Sequence, residues 1–111
     1  MEKDRIVRIN DNLKKEIAIY VQNSDLRDQC GFFSVNYVDT SRDLSQAKVY
    51  FSTIQAPLNE KELVTFLNEN SWKIRKALSN LLPIKRVPTL KFYYDDHLEK
   101  VRNLDDLIKD I

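Results

Sequence analysis

The spacing of apolar side chains switches between helical and strand-like periods along this chain, and the order of these segments constrains the fold more than any other feature. An apolar side chain recurs every three or four residues near the N-terminus, at Ile6, Ile9, Leu13, Ile17 and Tyr20. This spacing predicts an amphipathic helix over about residues 4–22. Residues 32–38 and 47–52 then alternate and are rich in aromatic and β-branched types, which predicts two strands. The polar residues 39–43 between them predict a turn, and hence an antiparallel hairpin.

The helical period returns in the second half of the chain and is interrupted once. Asn59 followed by Glu62 is the pattern of a capping box, which predicts the start of a helix. A polar cluster then breaks the period before it resumes, which predicts two short helices joined by a kink at Asn70 and Ser71. Ser71 is expected to cap the second of them.

A third strand is predicted over residues 87–94, with Pro88 at its start because proline cannot donate to a ladder. Residues 95–111 are expected to form a frayed tail or a short helix. The resulting order, α-β-β-α-α-β, predicts a single α+β domain over residues 1–111, a two-layer sandwich with a three-stranded sheet and helices on one face. This order resembles a KH-type domain of the prokaryotic kind. KH modules bind single-stranded RNA through a GxxG loop, and residues 70–73 stand at that position without a glycine.

Three scarce residue types exclude most enzyme signatures. The chain has one glycine, Gly31, whereas a phosphate loop, a dinucleotide turn and a GxxG clamp each need at least two. It has one cysteine, Cys30, and one histidine, His97, so that neither a disulfide, a Cys-rich zinc site nor a two-histidine metal motif is possible within it. No known triad pattern surrounds His97. We therefore expect a non-catalytic protein without a cofactor or a metal.

Charge is segregated along the 111 residues although the net charge is only +1. Residues 71–94 contain no acidic side chain and six basic ones: Lys73, Arg75, Lys76, Lys85, Arg86 and Lys91. Such a segment is a candidate footprint for a polyanion, and the alternative is a solvated surface balanced by the acidic tail. The longest apolar run, residues 17–21, is far shorter than a membrane span, and the charged N-terminus leads into no signal-peptide core. We therefore expect a cytoplasmic protein that does not bind a membrane.

A helical wheel places Trp72 in the middle of the basic face of the second short helix, opposite Ile74, Ala77, Leu78, Leu81 and Leu82. An aromatic ring among cations can stack on a base while the cations contact phosphates. The alternative is that Trp72 folds onto the preceding helix, which the usual burial of tryptophan favours. The candidate RNA-binding residues are Trp72, Lys73, Arg75, Lys76, Lys85 and Arg86.

Two further sets of side chains leave alternatives open. Arg86 is as well suited to a structural hydrogen bond as to a phosphate. About half of the aromatic residues in the strands are expected to pack in the core, and the sequence does not say whether the others present a surface for bases. These aromatic residues are Phe32, Phe33, Tyr37, Tyr50, Phe51, Phe92, Tyr93 and Tyr94.

Three sequence blocks resemble the family of ribosome-binding factor A, a bacterial small-subunit assembly factor. Residues 35–52 resemble its strand, Ser-x-Asp-Leu turn and Ala-Lys-Val-Tyr strand. Residues 74–78 resemble its Ile-Arg-x-x-Leu helix, and residues 86–95 its Arg-x-x-Pro-x-Leu-x-Phe…Asp strand. The blocks occur in the family's order and spacing. With the N-terminal helix, the resemblance covers nearly the whole chain.

The resemblance implies a non-catalytic factor that binds the free small (30S) ribosomal subunit and its 16S rRNA, and we expect the protein to be a monomer. It also implies support for late maturation and for 5′-end processing of that RNA. The family's Ala-x-Gly kink aligns with Asn70, Ser71 and Trp72, so the close backbone approach that glycine permits is not expected here. The alternatives are a protein-interaction module using a sheet edge or the acidic tail, a KH-like RNA-binding protein not tied to the ribosome, and an unrecognised small enzyme.

Overall fold

A computed structural model of the chain describes residues 2–82 and 85–95, with side chains described from Asp4 onward. The elements are α1 (Glu2–Asn23), α2 (Arg27–Cys30), β1 (Phe32–Thr40), β2 (Gln46–Ile54), α3 (Glu60–Glu69), α4 (Ser71–Ser79) and β3 (Thr89–Tyr94). The predicted α+β order is confirmed, with one addition. Helix α2 was not predicted because a four-residue turn is too short to show a period. The predicted C-terminal tail or helix lies outside the described residues except for Asp95.

The three strands form one sheet in the order β1-β2-β3. β1 and β2 pair antiparallel, as the predicted hairpin requires, and β3 returns through the two-helix crossover to pair parallel with β2. The register shifts between Val35 and Tyr37, where Asn36 and Tyr37 are exposed in succession. This bulge brings the ring of Tyr37 opposite Tyr50 on the outer face of the sheet.

One face of the sheet is buried beneath α1, α3 and α4, which gives the expected two layers. Strand side chains alternate between this inner face and solvent, and the apolar stripe of each helix closes over it. The fully buried centre comprises Leu13, Ile17, Val21, Val49, Phe51, Leu63, Leu67, Ile74, Leu78 and Phe92. Every buried side-chain nitrogen and oxygen among the described residues has a hydrogen-bond partner.

The helix starts and ends confirm one of the predictions and correct two others. The Asn59–Glu62 capping box is present with both bonds, of 2.8 and 3.1 Å, so α3 begins as predicted. Ser71 does not cap α4, because its hydroxyl donates to the Asn68 carbonyl at 2.9 Å. Leu81 is 60% exposed instead of buried, since α4 ends at Ser79 and the helical wheel no longer applies.

Amide side chains from the helices satisfy backbone groups on both edge strands. The side chain of Asn68 on α3 accepts from the Phe92 N–H at 2.8 Å and donates to the Phe92 carbonyl at 3.1 Å. These bonds occupy backbone groups that a fourth strand would otherwise pair with. On β1, Gln22 accepts from the Phe33 N–H at 3.1 Å, and Asn10 accepts from the Thr40 N–H at 3.1 Å. These bonds lock α1 and α3 to the sheet and shorten the free edges that another strand could use.

Candidate nucleic-acid interface

The core contacts of α4 turn Trp72 towards solvent. Ile74 and Leu78 are fully buried beneath the helix, whereas Trp72 and Lys76 lie on its exposed side. Trp72 is 61% exposed. The interpretation that it folds down onto α3 is therefore wrong, because the buried stripe of α4 fixes the opposite face outward whatever residue stands there.

A groove of about 350 Å³ brings together all but one of the candidate RNA-binding residues. Lys76 comes from α4, whereas Lys85 and Arg86 come from the segment that leads into β3. Lys76, Lys85 and Arg86 are all exposed. The groove is lined by Trp72, Arg75, Lys76, Ser79, Lys85, Arg86 and Val87. Cations around an exposed indole ring form a surface that suits phosphates and a stacked base.

Arg75 has a structural contact in addition to its place in the groove. Its Nε donates to the Val87 carbonyl at 2.9 Å, and the residue is half-buried. This bond ties the segment before β3 to α4 and so positions Lys85 and Arg86 beside the helix. Arg75 therefore builds the groove as well as contributing charge to it.

Lys73 is the one candidate that does not line the groove. It is half-buried, and its Nζ lies 5.8 Å from the centroid of the Trp72 ring. A cation at this distance from an indole centroid is attracted by the negative face of the ring. Lys73 thus helps to hold Trp72 in its exposed position.

The kink forms without an unusual backbone conformation. Asn70 has φ −101° and ψ 6°, a turn conformation with negative φ that does not require glycine, and its Nδ2 donates to the Phe66 carbonyl at 2.8 Å. With the bond from the Ser71 hydroxyl to Asn68, the side chains at the kink satisfy carbonyls at the end of α3. The glycine implied by the family pattern is therefore not needed to make the turn. Asn70 and Ser71 position α4 and do not line the groove.

A second groove, of about 200 Å³, continues from the first and shares Lys85 and Arg86 with it. It adds Arg5 from α1, which is exposed. The remaining lining residues are Ile9, Asp43, Leu44, Ser45 and Pro88. Arg5 is not among the residues predicted from the sequence, because only the packing of α1 on the sheet brings this arginine to a segment that is distant in the chain. We call the two grooves together the basic surface.

The Ser-x-Asp-Leu turn forms one end of the basic surface. The carboxylate of Asp43 accepts from the hydroxyls of Ser45 and Ser41, each at 2.7 Å, and from the Ser45 N–H at 3.1 Å. The Ser45 hydroxyl, the Ser41 hydroxyl and the Ser45 amide together lower the pKa of Asp43 to about 2. Leu44 follows with φ 62°, and its side chain packs against the core. The turn is thus held rigid beside Arg5 and Arg86.

The groups that sequence analysis considered for chemistry do not assemble into a reactive site within the described residues. Cys30 is fully buried, and burial raises the pKa of its thiol to about 11, so the nucleophilic thiolate is absent at neutral pH. Across residues 2–82 and 85–95, no three His, Cys, Asp or Glu side chains lie close enough to hold a metal ion. His97 lies outside the described residues. No described helix has the length and apolar character that a membrane span requires.

A further groove, of about 580 Å³, lies elsewhere, along the exposed side of α3. It is lined by Leu58, Asn59, Lys61, Glu62, Thr65, Phe66 and Glu69 and shares none of them with the basic surface. Glu62 is already engaged in the capping box. This groove is wide open and carries more acid than base, so it does not extend the polyanion footprint.

The fold and the basic surface together define a class of protein. It is a small α+β protein whose strongly basic surface includes an exposed tryptophan. A family model described as Ribosome-binding factor A matches residues 5–108. The chain belongs to this family. A ribosome-binding factor A from Halothermothrix orenii is 32% identical over 111 residues, covering 100% of this chain and 91% of the relative.

Solved structures agree with this assignment at the level of the fold. The crystal structure of ribosome-binding factor A from Thermus thermophilus matches with a TM-score of 0.69 at 24% identity, covering 80% of this chain and 94% of that one. Coordinates of a homology model of the Thermus thermophilus factor, fitted into a cryo-EM map of a 30S complex, match with a TM-score of 0.55 at 23% identity. They cover 79% of this chain and 88% of that one.

Proposed function

We propose that this protein is a non-catalytic ribosome assembly factor that binds the free 30S subunit through its basic surface. In this proposal it contacts 16S rRNA and supports late maturation and 5′-end processing of that RNA. It acts in the cytoplasm as a monomeric single domain over residues 1–111, without a cofactor. The related Thermus thermophilus factor, whose coordinates were fitted into a map of a 30S complex, supports the choice of partner.

The observation that carries the proposal is the convergence of cations from separate elements on one continuous surface. Arg5 comes from α1, Lys76 from α4, and Lys85 and Arg86 from the segment before β3. Like charges repel, so folding that gathers them costs free energy unless a polyanion compensates. The phosphates of a structured RNA supply that compensation and make binding depend on salt.

The alternative function, a protein-interaction module that adds a strand to the sheet edge, has less support. Asn68 already pairs with Phe92 on β3, and Gln22 and Asn10 pair with residues on β1. A partner strand would have to displace these bonds. An RNA-binding role outside the ribosome would use the same surface. Only identification of the bound partner distinguishes this role from binding to the 30S subunit.

Sedimentation in a sucrose gradient tests the partner. We expect the protein to migrate with free 30S subunits in low-salt lysate and much less with assembled ribosomes, because the factor acts before the subunits join. Raising the salt should release it, with a log–log slope of about −3 to −5 for roughly 4 to 6 phosphate contacts. Protein found only at the top of the gradient, or equally on assembled ribosomes, would contradict the proposal.

Trp72 provides a direct optical test of the interface because it is the only tryptophan of the chain. Its exposure predicts ready quenching by acrylamide in the free protein and protection when 30S subunits are added. Trp72→Ala should change the free energy of unfolding by less than about 0.5 kcal/mol, as a surface substitution does. It should weaken binding by about 1 to 3 kcal/mol, whereas Trp72→Phe, which keeps a ring, should lose less. Unchanged quenching on the subunit would place Trp72 outside the interface.

A further inference from the structure

The outer face of the sheet carries side chains that the basic surface does not use. Strand pairing arranges them in rows that run across the three strands. Tyr37, Tyr50 and Tyr93 form one row, and Asp39, Lys48 and Lys91 form the next. Among the described residues, helices α1, α3 and α4 pack on the opposite face, so both rows lie on the side of the sheet that these helices leave uncovered.

The three tyrosines form a continuous ladder of rings. The ring centroids of Tyr37 and Tyr50 are 5.5 Å apart, and those of Tyr50 and Tyr93 are 5.4 Å apart with an interplanar angle of 23°. Both sides of the Tyr50 ring are thereby occupied. Tyr37, at the end of the ladder on edge strand β1, is 57% exposed and contacts a ring on one side only among the described aromatics. A flat aromatic ligand can extend the ladder there.

The neighbouring row places two lysines directly opposite each other. Lys48 and Lys91 are register partners on adjacent strands, and both are exposed. Like charges at such positions destabilise a sheet unless an anion lies between them. Asp39 faces Lys48 from the other side and is the single carboxylate of this row. The Lys91 Nζ lies 5.7 Å from the centroid of the Tyr93 ring and borders a groove of about 290 Å³ whose lining includes Gln46, Lys48, Thr89, Lys91 and Tyr93.

This groove is the direct continuation of the basic surface around the end of the sheet. Ser45 and Pro88 line the basic surface, and the next residues, Gln46 and Thr89, line the outer groove. A strand of RNA that leaves Arg86 can therefore pass onto the outer face, and the carboxylate that it passes, Asp43, already accepts three hydrogen bonds from Ser41 and Ser45. Successive rows on one face of a strand are about 7 Å apart and neighbouring strands are about 4.8 Å apart, so two adjacent nucleotides can reach from the lysine row to Tyr37.

We propose that the outer face of the sheet is a second RNA-binding surface for a single-stranded segment. A phosphate lies between Lys48 and Lys91, and a base of a neighbouring nucleotide stacks on the free side of Tyr37. Pairing of aromatic rings with flanking cations is the chemistry by which single-stranded RNA is held without base-specific contacts. The inference rests on the proposed RNA-binding function and extends it to a face that α4 does not reach.

The test measures the affinity of the full chain for a fluorescein-labelled oligouridylate of about 12 nucleotides by fluorescence anisotropy. Lys48→Gln with Lys91→Gln should weaken binding by about fivefold or more and reduce the salt slope by about 1 to 1.5, because two phosphate contacts are lost. The matched control is Lys14→Gln with Lys61→Gln, which removes the same charge from exposed positions on α1 and α3. The control should change affinity less than twofold.

Substitutions of Tyr37 distinguish the contribution of ring stacking to binding from that of charge. Tyr37→Val keeps the strand preference and removes the ring, so affinity should fall by about 5- to 100-fold with an unchanged salt slope. Tyr37→Phe keeps the ring and should restore binding to within about twofold. Circular dichroism on each variant shows that the sheet is retained.

The outcomes are distinguishable from failure of the proposed function. If the lysine pair and Tyr37→Val behave like the control while substitutions on the basic surface abolish binding, the proposed function stands and the second surface is refuted. If outer-face variants lose 30S binding but keep oligouridylate binding, the face contacts a protein, and the RNA proposal is overturned. If the wild-type chain binds neither probe nor subunit, the proposed function itself fails.

Discussion

Replacement of Lys76, Lys85 and Arg86 together by glutamine is expected to lower the affinity for 30S subunits by about 100-fold, since three phosphate contacts are lost at once. The log–log salt slope should become less negative by about 2 to 3. All three side chains are exposed and converge on one groove, so their removal should leave the fold intact. Filter binding or sedimentation across a salt series measures both quantities.

Substitution of these three residues tests phosphate contacts more specifically than substitution of Lys73, Arg75 and Lys76, the adjacent cations that the sequence suggests. Arg75 anchors the segment before β3 through the Val87 carbonyl, and Lys73 lies against Trp72. Substitution of either would disturb the shape of the groove together with its charge. A loss of binding could then not be assigned to phosphate contacts alone.

The matched control is the triple replacement of Lys14, Lys15 and Lys61 by glutamine. It makes the same change in net charge at exposed positions away from the basic surface. We expect it to weaken binding only through the long-range field, by a factor of about two to three in low salt. If both triple variants lose the same affinity, binding depends on net charge, and the assignment of the basic surface is wrong.

Gly31→Ala is expected to destabilise the fold by about 3 to 5 kcal/mol, the sum of backbone strain and steric overlap. Gly31 has φ 60° and ψ −135° between α2 and β1, a conformation that side chains disfavour. A Cβ there would lie 2.6 Å from the Ile54 carbonyl oxygen and 2.7 Å from that of Gln55. Both obstacles are backbone atoms, which cannot rotate away.

Thermal or urea unfolding followed by circular dichroism measures this effect. A loss of this size in a small domain lowers the melting temperature by about 15 °C or more. Gln29→Ala, two residues earlier in α2, is the control and should shift the free energy of unfolding by less than about 0.5 kcal/mol, because alanine is a good helix former. If Gly31→Ala unfolds like the control, the hairpin can move away from Gly31, and the close approach is not required by the fold.

The order of elements could be predicted from the sequence because each signal is local. The period of α1, the alternation in β1 and β2, the capping box at Asn59 and the kink at Asn70 depend on residues within a few positions of one another. The antiparallel hairpin follows from a short polar turn. The position of α4's basic face follows from the stripe formed by Ile74 and Leu78.

Local signals failed where an element ends or where a side chain bridges distant segments. Leu81 continues the apolar period by spacing but lies beyond the end of α4 and is exposed. Serine is a residue type that often caps a helix, yet the hydroxyl of Ser71 donates to the Asn68 carbonyl instead. The usual burial of tryptophan gave the wrong expectation for Trp72. The average burial of a residue type contains no information about which face of this helix packs on the core.

Residue patterns alone suffice to identify a small α+β domain with a cluster of cations in one segment. Which cations share a surface depends on the three-dimensional packing of α1 on the sheet, which brings Arg5 beside Lys85 and Arg86. The parallel return of β3 likewise set Lys91 against Lys48 and completed the tyrosine ladder with Tyr93. The physical reason is that these contacts join residues far apart in the chain. Their geometry is fixed by the closing of the buried core, which no local pattern of residues encodes.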